Sequence, residues 1–319
     1  MRASAATLVA AISTAAAIHP AAQQAPVFRG RTDLISIPVT VTRGRQPVTG
    51  LTAADFEVTD NGVRQRVEVA RAGDVPLDLT LLLTEFSPAR AGEHGRALVS
   101  ADTVRERLHA DDRLRLVFVD HQVRSTQPDA AYRVLTDPVA QALRWGRPIS
   151  ANTFDIGLVN PEVNAEAGFG IALVDGLFHA LTWPVAPDRR HLVVAFTDGN
   201  DTASILEPDR LPGLIARSDA VLHAVLWTTP AESGSRSFQL ANWQRSYQAL
   251  DSAVRRSGGS LHRLDSVTDV LAEVVETFRS SYVLRYTPGV TPVPGWHDLR
   301  VRVTRPGSFT IRARQGYEY

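Results

Sequence analysis

Residues 193–204 read VVAFTDGNDTAS, an apolar run that ends abruptly in Thr-Asp-Gly. Such a run reads as a buried strand, and its end delivers a carboxylate, Asp198, to the rim of a sheet. A hard divalent cation needs several oxygen ligands in near-octahedral array. Asp198 and Asp201 supply two carboxylates, and Glu85 and Ser87 in TEFSP (84–88) or Thr153 in a polar loop could add more. The plainer alternative is a turn. Asp198 would then bond backbone amides, Gly199 would supply an unusual φ, and Asp201 or Thr202 would cap the helix that follows.

Hydrolytic chemistry has thinner support. Asp120-His121 ends a second apolar run, and with Ser87 and Asp198 it would compose a Ser–His–Asp set. The Gly-x-Ser-x-Gly elbow that presents such a serine is missing from the sequence, and His121 reads more simply as a strand-end or hairpin residue. His94, His109, His179, His191 and His223 show no metal-ligand spacing, and His223 falls in a buried strand pattern as a core histidine. Tyr282, Tyr286, Trp296 and Tyr317 fall in terminal strands, where core or sheet-face packing is their expected role. No phosphate-cradling glycine loop is found, and no catalytic residue is expected.

The elements that would position these residues change texture twice. Residues 33–72 alternate in strand fashion, with a two-residue hairpin turn at Asn61-Gly62. From residue 75, apolar strands at 75–83, 112–120, 189–196, 220–227 and 260–264 alternate with helical stretches at 96–108, 137–146, 170–181, 208–218, 246–259 and 266–281. That alternation predicts a mainly parallel sheet with helices on both faces. Residues 121–127 read as an antiparallel edge strand, and Gly258-Gly259 as a helix stop. From residue 282 the period-two pattern returns. The expected organisation is an N-terminal β segment (30–74), an α/β domain (75–281) and a C-terminal β segment (282–319) that joins the first in a β-sandwich.

The 319 residues carry 34 basic and 34 acidic side chains, all the basic ones arginine, for a formal net charge of zero. Balanced charge predicts no general attraction to nucleic acid or anionic membrane. With no cysteine, disulfides and thiolate chemistry are excluded. Residues 1–25 join an early Arg to an Ala-rich apolar stretch and read as a secretory signal peptide. Export to the periplasm, cell surface or exterior follows as an expectation, with no membrane span in the mature chain.

Several stretches in order carry a family resemblance: VTVTRGRQPVTGLTAADFEVTDNGVRQ (39–65), VPLDLTLLL (75–83), FTDGNDTAS (196–204), SGGSLHRLDSVTDVLAEV (257–274), RSSYVLRYTP (279–288) and WHDLRVRVTRPGSFTIRARQGY (296–317). Through them the chain resembles exported bacterial VWFA-related proteins of acidobacterial type, and its α/β part resembles a von Willebrand factor type A domain. The resemblance implies a Rossmann-like fold with a Mg²⁺-type site on three loops. In the first loop the family's Asp-x-Ser-x-Ser falls on Thr84, Phe86 and Pro88. In the second its Thr falls on Ile171. Only Asp198, in the third, keeps the family's residue. The resemblance therefore implies a degenerate metal-ion-dependent adhesion site, with no metal or other cofactor bound in the family manner. The expected role is protein–protein interaction or adhesion with an unknown protein partner, Glu85, Ser87, Asp198 and Asp201 being the rim candidates. A cation-dependent module with a rebuilt Mg²⁺ site and a structural subunit of an envelope complex are the alternatives.

Overall fold

A computed structural model describes residues 34–84, 107–130, 133–134, 171–226, 237–263, 270–288 and 293–319. The signal-peptide stretch, the first-loop residues Glu85, Phe86, Ser87 and Pro88, nearly all of the helical stretch 96–108, the stretch 137–146 and Thr153 lie outside the described residues.

The central element is a seven-stranded sheet whose main path runs β12-β11-β10-β6-β7-β8. Its members are β6 (Leu77–Thr84), β7 (Arg113–Val119), β8 (Val123–Ser125), β9 (Asp129–Ala130), β10 (Arg190–Thr197), β11 (Val221–Leu226) and β12 (Leu261–Arg263). β12, β11, β10, β6 and β7 are mutually parallel. β8 and β9 both pair antiparallel with β7, so residues 121–127 do fold straight back. All eight residues of β10 and all six of β11 are buried, as a parallel sheet covered on both faces requires.

One face packs against α1 (Leu173–Leu181), α2 (Leu211–Arg217) and α3 (Ser237–Ser257). The other packs against α4 (Val270–Arg279), with Leu79, Leu81, Phe196, Leu271 and Phe278 in a second apolar cluster. Each fully buried Leu or Phe contributes about 1.5–3 kcal/mol, whereas an exposed ion pair such as Arg133–Asp129 is screened by solvent and adds little. The apolar layers therefore decide the fold. α3 ends where the sequence predicts. Gly258 adopts φ +85°, and the Gly259 amide returns to the Val254 carbonyl.

The terminal strands form two antiparallel sheets. One joins β1 (Ile35–Arg43), β2 (Gln46–Pro47) and β5 (Glu68–Arg71) to β13 (Tyr282–Tyr286) and β15 (Thr310–Ala313). The other joins β3 (Phe56–Asp60) and β4 (Val63–Gln65) to β14 (Trp296–Val303) and β16 (Gly316–Glu318). Strands from the two ends of the chain are thus paired in both sheets, and both feed one apolar cluster that includes Ile37, Val39, Phe56, Val58, Tyr282, Leu284 and Tyr317. The β3–β4 turn places Asn61 at φ +47° and Gly62 at φ +82°, the doubly left-handed conformation that an Asn-Gly hairpin supplies. Inside this cluster Asp60 accepts from the hydroxyls of Tyr286 and Tyr317 and contacts His297 Nδ1 at 2.9 Å. Trp296, unlike Tyr282, Tyr286 and Tyr317, is 40% exposed, beneath Arg256.

The α/β and terminal strands pack as one compact unit, Leu34–Tyr319. Arg314 bonds Asp219 and the Ala216 carbonyl at the end of α2, and buried Asp112 accepts from the Leu77 amide and from Arg279. Among the described residues, no helix is long and apolar enough to cross a membrane.

Candidate functional site

The chain builds β6, steps outward to β7, then returns past β6 to build β10, β11 and β12 on the other side. The order reverses between β6 and β10, and in open α/β sheets the crevice outside the carboxyl ends of the strands at such a switch point is the usual ligand position. Thr84 closes β6 and Asp198 follows β10. The topology therefore brings two of the positions singled out in the sequence to one rim.

At that rim Thr84 is 1% exposed, and its hydroxyl donates to the Phe196 carbonyl of β10 at 3.4 Å. Asp198 Oδ1 accepts from the Asn200 amide at 2.9 Å, and its carbonyl accepts from Trp243 Nε1 at 3.0 Å. Gly199 sits at φ +78°, with its amide on Thr197 Oγ1. The Thr-Asp-Gly turn is built by an Asx bond and a positive-φ glycine, and Trp243, stacked on Tyr247, supports it from α3.

Asp201 departs from the expectation. Its carboxylate does not cap the helix that follows but the earlier one, α1, accepting from the Val174 amide at 3.2 Å and from that of Leu173. Ser204 Oγ donates to the same Oδ1. At 7% exposure, Asp201 faces inward rather than lining the rim surface. Burial raises its pKa, while the Ser204 hydroxyl and the two amides pull in the opposite direction. Thr202 likewise turns back, accepting from the Ile171 amide at 2.8 Å, while the Ile171 carbonyl receives the amides of Thr202 and Ala203.

Asp175, in the first turn of α1, was not singled out in the sequence. Its two oxygens accept the Ile205 and Leu206 amides at 2.9 and 3.0 Å, and its own amide donates to Ser204 Oγ. Loop 198–206 and the start of α1 are therefore stapled in both directions: Asp201 serves the helix, Asp175 serves the loop. The available signal was an acidic residue in a helix's first turn, where it also complements the helix dipole. Ile205, at the outer end of the staple, is 93% exposed.

Asp120 and His121 occupy the β7–β8 hairpin turn. Asp120 accepts from the Gln122 amide and from Arg124, and its carbonyl receives the Ala172 amide at 2.7 Å. His121 Nδ1 lies 3.6 Å from its own neighbour's carboxylate. His223 is buried in β11, sharing Ser260 Oγ with His262, and burial holds it down at about 3, so it is neutral at pH 7. Among the described residues, no group of three His, Asp or Glu side chains is placed to hold a metal ion. What this rim offers chemically is a hydrogen-bonded, well-supported loop surface.

No protein-family model matches the chain, and no curated protein matches it. Solved structures do. Proximal thread matrix protein 1 from the mussel byssus is similar at 13% identity over 68% of this chain and 49% of its own, with a TM-score of 0.41. The chain thus spans about half that protein's length, and one form of the mussel protein carries a zinc-occupied MIDAS motif. An aerotolerance-related membrane protein from Bacteroides fragilis matches at 11% identity over 63% of this chain and 98% of its own, TM-score 0.39. A von Willebrand factor type A protein from Catenulispora acidiphila matches at 11% over 83% and 72%, TM-score 0.41. Similarity this low decides nothing about activity; the switch point and its loops stand on the chain's own geometry.

Proposed function

We propose that the chain is an exported, non-enzymatic protein-interaction module, a type A-like α/β unit inserted in a β-sandwich, that binds a protein partner through its carboxyl-end rim without a bridging cation. The observation that carries this reading is the internal engagement of the carboxylates at and behind the rim. Asp120, Asp198 and Asp201 each accept from groups of their own or the adjacent loop. An oxygen already committed to amides and a hydroxyl is a poor ligand for a cation that needs several converging oxygens. The same bonds hold loop 198–206 in one shape, which lowers the ordering cost of association, and they leave Ile205 projecting as an apolar anchor.

The test is capture from native envelope extracts with the immobilised chain, in EDTA and in Mg²⁺. Partner capture equal in both buffers and reduced about tenfold or more by Ile205→Asp, as loss of a buried anchor implies, supports the reading. Capture that requires Mg²⁺, or that Ile205→Asp leaves unchanged, overturns it.

A further inference from the structure

At the opposite end of β10, about 23 Å from the rim at roughly 3.3 Å per strand residue, lies a cavity of about 350 Å³. Arg190, His191, Trp183, Phe278, Arg217 and Arg285 are among its walls. A volume of this order suits a small ligand, about 300–1,000 Å³ being usual for such sites.

The charge of the lining is lopsided. Arg190 is 8% exposed, and its guanidinium donates to two neutral oxygens, Nη1 to the Phe278 carbonyl at 3.1 Å and Nη2 to Ser281 Oγ at 3.0 Å. Its guanidinium lies 3.6 Å from the Phe278 ring centroid. Among the described residues, no carboxylate pairs with it. Burial, followed by the like charge of Arg279, pushes its pKa down to about 9. Arg217 and Arg285 add two further cations. The acid in the wall, Asp219, is held by Arg314, and Arg189 is held by Asp78. Behind Trp183, Arg115 stacks at 4.4 Å with its Nη1 buried and unpartnered. His191 is kept neutral, at about 3, by burial and then by Arg115.

A buried cation served only by neutral acceptors is costly, and an anion would offset that cost. A guanidinium has five N–H donors in a fork that matches a carboxylate, and two of those of Arg190 are spent on neutral oxygens. Apolar side chains, Trp183, Leu181, Leu214 and Val283 beside Phe278, share the rest of the lining with the hydroxyls of Ser36, Thr182 and Ser218. We propose that this cavity binds a small organic carboxylate, its charged end on Arg190 with Arg217 and Arg285 alongside, and its apolar body against Trp183 and Phe278. Rim binding and cavity binding rest on separate residues at opposite ends of the sheet.

Calorimetric titration of the full chain with octanoate tests this, with octanol and inorganic phosphate as comparators. Saturable one-to-one octanoate binding is expected, with neither comparator competing. Arg190→Met should abolish it. Arg217→Ala/Arg285→Ala, which alters side chains outside the core and so keeps the fold, should weaken it about tenfold or more, as loss of charge-assisted bonds implies. Octanol binding as tightly as octanoate, phosphate binding more tightly, or octanoate binding unmoved by the Arg217/Arg285 double variant would each overturn the proposal.

Discussion

Asp201→Ala separates a structural rim from a metal-binding one. The substitution removes the acceptor for the Val174 and Leu173 amides and for the Ser204 hydroxyl. Loss of a capping side chain costs about 0.5–2 kcal/mol, and bonds to a charged acceptor are worth about 1.5–3 kcal/mol each before offsets. The offset here is burial of the carboxylate, the same effect that raises its pKa. A net loss of about 2–3 kcal/mol follows. At about 2–4 °C per kcal/mol for a domain of comparable size, the midpoint should fall by about 5–10 °C. Asp198→Ala loses the Asx bond to Asn200 and should cost about 1 kcal/mol. Asp201→Asn keeps one acceptor oxygen and should fall between wild type and Asp201→Ala. Scanning calorimetry and urea unfolding, each in Mg²⁺ and in EDTA, measure all three. The reasoning fails if Asp201→Ala lies within about 0.5 kcal/mol of wild type, the range of ordinary surface changes, or if the ranking of the variants inverts when Mg²⁺ is present.

The remaining outcomes concern pH and packing. His191 and His223 are both held down at about 3 by burial; a depressed folded pKa means the unfolded chain takes up the extra protons. Stability is therefore complete above about 6.5 and falls as pH drops toward 3, by up to about 1.4 kcal/mol per pH unit for each histidine. Midpoints between pH 7.5 and 5 should show this slope, and His223→Gln should flatten it. His297 works in the opposite sense: burial lowers its pKa, but bonds to the Val293 carbonyl and Asp60 outweigh that and raise it, so its contribution is present at low pH and lost as pH rises through the folded value. In Gly259→Ala the new Cβ would sit 1.9 Å from the Leu222 carbonyl oxygen, and urea midpoints should report about 1–3 kcal/mol of destabilisation from the overpacking. Tyr286→Phe removes one of the two hydroxyls on Asp60, and the same assay should show a loss of about 1–2 kcal/mol with an unchanged m-value.

Features fixed by neighbouring residues were legible in the sequence. Asn61-Gly62 and Gly258-Gly259 announce their turns because the required positive φ belongs to the residues themselves. The strands of the central sheet are visible as apolar runs because both their faces are buried. Asp198 at the rim follows from such a run. The role of Asp201 was not legible, since it serves amides 27 residues earlier in the chain, and a local reading assigns a cap to the helix that comes next. Asp175 was hidden for the same reason, its partners lying 30 and 31 residues away. Arg190 lies in the strand run 189–196, and only the packing of α4 beneath it shows a guanidinium sealed against Phe278. Trp296 fits its strand's alternation but faces outward, which periodicity alone does not separate from the buried tyrosines beside it.

Whether the rim works without a cation is decided by calorimetric titration of the full chain with Mg²⁺, Mn²⁺ and Ca²⁺. No saturable heat that differs between wild type and Asp198→Ala is expected. Saturable binding of any of the three ions, abolished by Asp198→Ala, would contradict it.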